Sequence, residues 1–126
     1  MYHALALLTP ASDLTLSSVT AKVKAKFPKI QVQPAADRID LAEGDWDYHM
    51  VWQSGAQVLQ ESEGLAGRLA GLDENDPIRT CDRRLEVWSD TPDPFMEHFE
   101  KHFQLLDVLR AFKGVILVDP REPSLL

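Results

Sequence analysis

Residues 2–8, YHALALL, restrict the possible folds more than any other segment of the chain. Apolar side chains occupy both the odd and the even positions from Ala4 to Leu8, and a proline follows at position 10. Successive side chains of a strand point to opposite faces, so a strand exposed on one face would be polar at every second position. The segment therefore predicts a central strand that is buried on both faces.

Two segments in the first half of the chain have the apolar spacing of amphipathic helices. The first is predicted to begin with Ser12 or Asp13 as N-cap and to end near Phe27, and its stripe consists of Leu16, Val19, Val23 and Phe27. The second is predicted over residues 54–72, and its stripe consists of Val58, Leu65, Leu69 and Leu72. Three glycines weaken this second helix, so tertiary packing has to hold it.

A third helix is predicted from the segment TPDPF, with Asp93 as N-cap and Pro94 at the first helical position. Gly114, which follows AFK, is predicted to end it. These two signals make it the most clearly marked helix of the sequence.

The remaining strands are predicted from alternation with period two. KIQVQP and DRIDLAEGDWDYHMVWQ alternate in this way, with the Gly-containing AEGD as a hairpin turn, and Pro34 indicates an edge strand or a bulge. RTCDRRLEVWS is predicted to be a strand with Cys81, Leu85 and Val87 on one side, and VILVDP to be the last strand.

The predicted order is β-α-β-β-α-β followed by α-β, and its first six elements match the split βαβ order of ferredoxin-like domains. We therefore expect an α+β protein in which residues 1–126 form one domain. A ferredoxin-like core would be extended by a C-terminal α-β unit, and three helices would pack on one mixed sheet.

Charge and cysteine content narrow the functional classes. Thirteen Lys and Arg against twenty Asp and Glu give a formal net charge of -7, which repels nucleic acid and anionic membranes and favours a basic partner or a neutral small ligand. No signal peptide and no membrane span is recognised, so a cytoplasmic protein is expected. Cys81 is the only cysteine, and we expect no cofactor and no bound metal.

The segment EGDWDYHMVWQ concentrates two tryptophans, a tyrosine, a histidine and three acids in residues 43–53. Trp46, Tyr48, Met50 and Trp52 point to one side of the strand, and we expect this row to be core, although an exposed platform or interface is the alternative. The acids around the turn form a solvated loop or a negative docking site for a basic protein, and that candidate site comprises Asp40, Glu43, Asp45, Trp46 and Asp47.

The second candidate is FMEHFEKHF, in which His98 and His102 stand four residues apart within an apolar arc of the third helix. That spacing can hold a metal, but Phe99 stands where the zincin motif requires Glu. We expect both histidines to be packing residues with local polar partners. The alternative is a pocket that combines His49, His98, His102 and Asp119.

The leading hypothesis is a non-enzymatic binding protein that docks a basic protein through the acidic hairpin or an exposed apolar surface. An inhibitor or immunity-type protein fits this profile. Two alternatives stay open: an enzyme or small-ligand module with a histidine-containing pocket, and a sensor domain that dimerises through its sheet. Trp46 is the expected anchor of the leading hypothesis if its ring is exposed.

Overall fold

In the computed structural model, which describes residues 2–69 and 76–126, seven strands form one antiparallel sheet in the order β2-β3-β4-β5-β1-β6-β7. The strands are β1 His3–Leu8, β2 Gln31–Pro34, β3 Arg38–Glu43, β4 Trp46–Ser54, β5 Arg83–Trp88, β6 Val115–Asp119 and β7 Ser124–Leu125. The helices are α1 Leu16–Lys26, α2 Ala56–Arg68 and α3 Phe99–Arg110, with a 3-10 helix at Pro77–Thr80. The expected α+β class with three α-helices is confirmed for the described residues.

The prediction of a central, doubly buried β1 is confirmed. The strand pairs antiparallel with β5 on one side and β6 on the other, and Ala4 to Leu8 are all buried. Leu5 and Leu7 face α2, whereas Ala4, Ala6 and Leu8 face the core beneath α1 and α3. Helical layers therefore cover both faces of the sheet at its centre.

The expected mixed sheet is wrong, because every described strand pair is antiparallel. The ferredoxin-like core is not confirmed, since β1 lies between β5 and β6 and the sheet has seven strands. The segment of residues 30–41 also divides into β2 and β3, and β2 with Pro34 is an edge strand. Strand pairing is a long-range property, which local periodicity does not determine.

Helix α1 begins later than its sequence suggests. Its N-cap is Thr15, whose side chain accepts from the N–H of Ser18 while the Ser18 hydroxyl accepts from the N–H of Thr15. Neither Ser12 nor Asp13 caps the helix. The Asp13 carboxylate instead accepts from the backbone N–H of Lys113, beyond the end of α3, and thereby ties the two helices together.

Helix α3 begins at Phe99 with His98 as N-cap, so the expected start at Asp93 and Pro94 is wrong. Met96 has a φ of 56°, in the left-handed region, which interrupts the helix that the Asp-Pro pair would start. The Asp93 carboxylate caps this turn by accepting from the backbone N–H groups of Glu97 and His98. Residues 93–98 thus form a tight turn beside the helix.

The predicted strand RTCDRRLEVWS is correct only in its second half. Pro77–Thr80 form the 3-10 helix, capped by the Asp76 carboxylate that accepts from the N–H of Ile78. This turn places Cys81 in the core beneath α2, on the face opposite to Leu85 and Val87. Within the stripe of the second helix, Leu72 lies outside the described residues, as does most of the loop expected before Pro77.

The two faces of the sheet are covered unequally. Helices α1 and α3 cover one face, whereas α2 and the 3-10 helix cover part of the opposite face, where they pack on β1 and β6 and α2 also contacts β4 and β5. The uncovered part of that second face carries side chains that are all partly exposed, from Arg38, Asp40, His49, Val51, Glu86 and Trp88. We call it the open face. No helix among the described residues is long and apolar enough to cross a membrane.

We expect Leu5→Ala to lower the free energy of unfolding by about 2 to 5 kcal/mol, because it removes a buried side chain from a central strand. Ile116→Ala should cost less, since Ile116 is only partly buried against the same cluster. Chemical denaturation measures both, with Leu125→Ala, which is 56% exposed, as the control expected to change stability by less than about 0.5 kcal/mol. Equal stability of Leu5→Ala and the control would contradict the assignment of β1.

Candidate functional site

The aromatic row of β4 belongs to the core. Trp46, Tyr48 and Met50 are completely buried and Trp52 is partly buried against the same cluster. The platform or interface alternative is therefore wrong for this row, and Trp46 cannot anchor a partner. The indole N–H of Trp46 has no hydrogen-bond partner among the described residues.

The hairpin turn forms as predicted. Glu43 pairs with Trp46 across a two-residue turn, and Gly44 supplies the positive φ of 61° that this turn requires. The four acids that surround it have different environments, so they do not form one uniform patch. Asp45 and Asp47 are exposed, whereas Glu43 points toward α3 and forms an ion pair with Lys101.

Asp40 lies on the open face of β3 and is engaged by two neighbours. Arg38 donates to its Oδ1 atom at 2.8 Å, and the Nδ1 atom of His49 lies 2.7 Å from the same oxygen. The hydrogen bond from Arg38, which has the larger effect, and the contact with His49 hold the pKa of Asp40 below its usual value. Asp40 is therefore a charged anchor for His49 within the sheet.

The alternative histidine pocket is not assembled. His98 and His102 belong to the α3 side of the sheet, where they stack on Trp46 and Tyr2 respectively. His49 lies on the opposite, open face beside Trp88. Asp119 ends β6, which is separated from β4 and its His49 by β5 and β1, so the four residues do not share one cavity.

The prediction that His102 is a packing residue with a local partner is confirmed. It is 6% exposed, its Nδ1 atom lies 2.8 Å from the hydroxyl of Tyr48, and its ring stacks on Tyr2 at 4.7 Å between centroids. Burial lowers the pKa of His102 to about 4, and the positive charge of Arg121 acts in the same direction. His102 is consequently neutral at pH 7.

Tyr2 connects this buried layer to the surface. Its hydroxyl donates to the Asp93 carboxylate, and burial together with this hydrogen bond raises the pKa of Tyr2 to about 12. The hydrogen bonds that Asp93 receives from Tyr2 and from the backbone outweigh its desolvation and keep its pKa below the usual value. The turn before α3 is thus fixed to the first residues of the chain.

Four of the six large apolar side chains that are exposed among the described residues lie around this turn. Phe95 is 83% exposed, Met96 57%, Phe103 41% and Phe99 39%. Phe99 and Phe103 contact each other edge to face at 4.8 Å, and Phe99 also contacts Tyr2. We call these four residues the α3 patch.

The sequence interpretation missed this patch, because it started the third helix at Asp93 and placed FMEHFEKHF within the apolar arc of that helix. The later start at Phe99 turns Phe95 and Met96 outward. The run FMEHFEKHF carries no clear signal of this exposure, because at about 100° per residue its four apolar residues fall within one arc of about 100°, which a single buried stripe would hold.

The hairpin and the start of α3 lie at the same end of the molecule. The ring of His98 stacks on Trp46 at 4.9 Å, and Lys101 reaches Glu43. The hairpin is also tied to the end of β5, because the Ser89 hydroxyl donates to the carbonyl of Asp47 and the N–H of Asp47 donates to Thr91. The exposed acids Asp45 and Asp47 therefore lie near the α3 patch.

A cavity of about 280 Å³ occupies the same end of the sheet, at the edge of the open face. It is lined by Tyr2, His3, Glu86, Trp88, Asp90 and Arg121, and we call it the Trp88 cavity. Trp88 lies between His3 on β1 and His49 on β4 in the strand register. No group of three or more potential metal ligands occurs among the described residues.

We expect His102 to make stability depend on pH. Its folded pKa of about 4 lies below the ordinary value of 6.5, so between these values the unfolded chain binds a proton that the folded chain does not. This contribution is fully present above pH 6.5 and is lost as the pH falls toward 4. Between pH 7 and pH 5, the loss due to His102 should be about 2 kcal/mol.

Urea denaturation at both pH values measures this loss, which His102→Gln should remove. Tyr48→Phe is the matched control, because it deletes the same hydrogen bond and keeps the buried imidazole, so its pH dependence should resemble that of the wild type. An unchanged pH dependence in His102→Gln would show that other groups are responsible.

No protein-family model matches this chain, and neither curated proteins nor solved structures provide a match. The function is therefore argued from the contacts, exposure and charge of the described residues alone.

Proposed function

We propose that this chain is a small acidic binding protein that docks a basic protein partner through the α3 patch. The observation that carries the proposal is the exposure of four large apolar side chains within nine residues, Phe95, Met96, Phe99 and Phe103. Aromatic residues and methionine are enriched in the buried centres of protein interfaces. An inhibitor or immunity-type protein of the cytoplasm is the form of this function that we favour.

Hydrophobic exposure of this kind is costly unless a partner covers it. The turn of Asp93 and Met96 holds Phe95 outward, and Tyr2 supports Phe99 from beneath. A patch fixed in this way loses little conformational entropy on binding, which favours affinity. The α3 patch replaces Trp46 as the expected anchor, because Trp46 is buried.

Charge selects the class of partner. The chain has a formal net charge of -7, and the acids Glu97 and Glu100 are exposed beside the patch. The two neighbouring cations are engaged locally, since Lys101 pairs with Glu43 and Arg110 pairs with Asp107. A basic surface is therefore the complement that this end of the molecule would attract.

The enzyme alternative has less support. The four residues proposed for its pocket lie on different faces of the sheet, and His102 is buried against Tyr2 and Tyr48. The sensor alternative predicts a homodimer, which the experiment below detects separately.

We expect Phe95→Ser combined with Phe103→Ser to weaken partner binding by more than about ten-fold, because the change removes two aromatic anchors from the centre of the patch. The partner is to be captured from a lysate with the wild-type chain, identified, purified and tested again by calorimetry. Leu125→Ser is the matched control, since it alters an exposed apolar residue of similar exposure outside the patch.

A purified partner that binds the double variant as tightly as the wild type would contradict the proposal, as would a purified partner with an acidic surface. Sedimentation of the chain alone tests the remaining alternative. If the wild type is a dimer that the double variant dissociates, the patch is a self-association surface and the docking proposal is wrong.

The acidic hairpin is proposed to steer the partner. Asp45→Asn combined with Asp47→Asn should slow association at low salt by several-fold and reduce its salt dependence, because exposed charges act mainly on the encounter rate. Glu63→Gln combined with Glu122→Gln removes the same formal charge from exposed positions elsewhere and should have a smaller effect. Stopped-flow mixing at two salt concentrations measures the rates, and equal rates for both double variants would exclude steering by the hairpin.

A further inference from the structure

The Trp88 cavity combines aromatic and acidic walls. Trp88 and Tyr2 line it together with the acidic residues Glu86 and Asp90. The Nε1 atom of Trp88 donates to Asp90 at 3.3 Å, and the Nε2 atom of His3 lies 3.1 Å from Glu86. One carboxylate, that of Asp90, therefore contacts the edge of the partly exposed indole, and a second acidic residue, Glu86, shares the cavity with it.

The combination of an aromatic ring with nearby carboxylates favours a cationic ligand. The face of an aromatic ring attracts a cation through its quadrupole, most strongly for Trp, and nearby carboxylates add direct charge attraction. At about 280 Å³, the cavity lies at or below the lower end of the range for small-molecule sites, which is roughly 300 to 1,000 Å³. A single side chain matches this volume better than a large ligand does.

We propose that the Trp88 cavity binds the ammonium or guanidinium group of a Lys or Arg side chain. The proposal rests on the proposed function, because the side chain would belong to the basic partner that covers the α3 patch. Tyr2 links the two sites, since this residue lines the cavity and its ring lies 6.1 Å from the ring of Phe99. A partner segment with a basic residue close to apolar residues would fill both.

Arg121 is the one formal positive charge among the six named lining residues. Its side chain is 55% exposed, and its Nε atom lies 3.7 Å from the Asp119 carboxylate, which offsets part of its charge. Neutralising Arg121 therefore distinguishes a cation site from an anion site by the direction in which the affinity changes. A cation site should bind more tightly when Arg121 is neutralised, whereas an anion site built on Arg121 and His3 should bind less tightly.

The first experiment uses small probes and does not depend on a partner. n-Butylguanidinium is titrated into the ¹⁵N-labelled chain, and the indole N–H signal of Trp88, assigned from its loss in Trp88→Phe, reports binding. The neutral isostere n-butylurea and inorganic phosphate are the comparison probes. We expect saturable shifts with n-butylguanidinium alone, and the signal of the buried Trp46 should not move.

Substitutions then test the assigned walls. Glu86→Gln and Asp90→Asn should each weaken n-butylguanidinium binding by about three-fold or more, and Arg121→Gln should strengthen it. Glu63→Gln, which removes one exposed carboxylate of α2 outside the cavity, is the matched control. Equal responses to the guanidinium and urea probes, a response to phosphate that Arg121→Gln abolishes, or no shift of Trp88 would each overturn the proposal.

The second experiment separates this proposal from the proposed function. With the purified partner, Glu86→Gln and Phe95→Ser combined with Phe103→Ser are compared by calorimetry. If the patch variant weakens binding and Glu86→Gln does not, the docking function stands and the cavity is not a recognition site for the partner. If n-butylguanidinium binds as expected while the patch variant has no effect on the partner, the cation site stands and the proposed docking surface is wrong.

Discussion

The antiparallel pairing of β1 with both β5 and β6 is the constraint on which the rest of the structure depends. The strand is buried on both faces, so it requires an apolar layer above and below it. Helix α2 provides one layer and the helices α1 and α3 provide the other. The same pairing brings Tyr2 and His3 beside the end of β5, where the candidate surfaces lie.

Local patterning predicted those parts of the fold that depend on which face a side chain occupies. The doubly apolar β1, the alternating row that ends at Trp52 and the hairpin turn at Gly44 were all recognisable, because strand geometry converts period two directly into two faces. The strand order was not recognisable, because pairing joins segments that are distant in sequence and the same alternation fits a mixed sheet and an antiparallel one equally well. The ferredoxin-like core is not confirmed for this reason, since it was expected from the order of elements along the chain and not from strand pairing.

The start of α3 was mispredicted for a different physical reason, which also hid the candidate site. Asp93 and Pro94 carry genuine capping chemistry, and the Asp93 carboxylate does cap backbone N–H groups. Because Met96 has a left-handed conformation, the backbone capped by Asp93 forms a turn, and the helix begins only at Phe99. Apolar residues that a continuous helix would bury are thereby presented to solvent. A local signal was thus interpreted correctly as a cap and wrongly as the beginning of a helix.

Because the helices cover the two faces of the sheet unequally, one face holds most of the hydrophobic core and the other is available for the proposed binding. One face is closed by α1 and α3 and holds the largest buried side chains, including Trp46 and Tyr48. The other face is only partly closed, by α2 and the 3-10 helix, and near Trp88 it leaves charged and aromatic side chains partly exposed.

Tyr2 belongs to both environments, since its ring stacks on the buried His102 and the residue is also part of the lining of the Trp88 cavity. Because its hydroxyl is held by Asp93 at the turn before α3, a contact made at the cavity and a contact made at the α3 patch would act on the same rigid element. Two weak sites joined in this way lose less conformational entropy when a second contact follows the first, which is the physical reason for treating them as one surface.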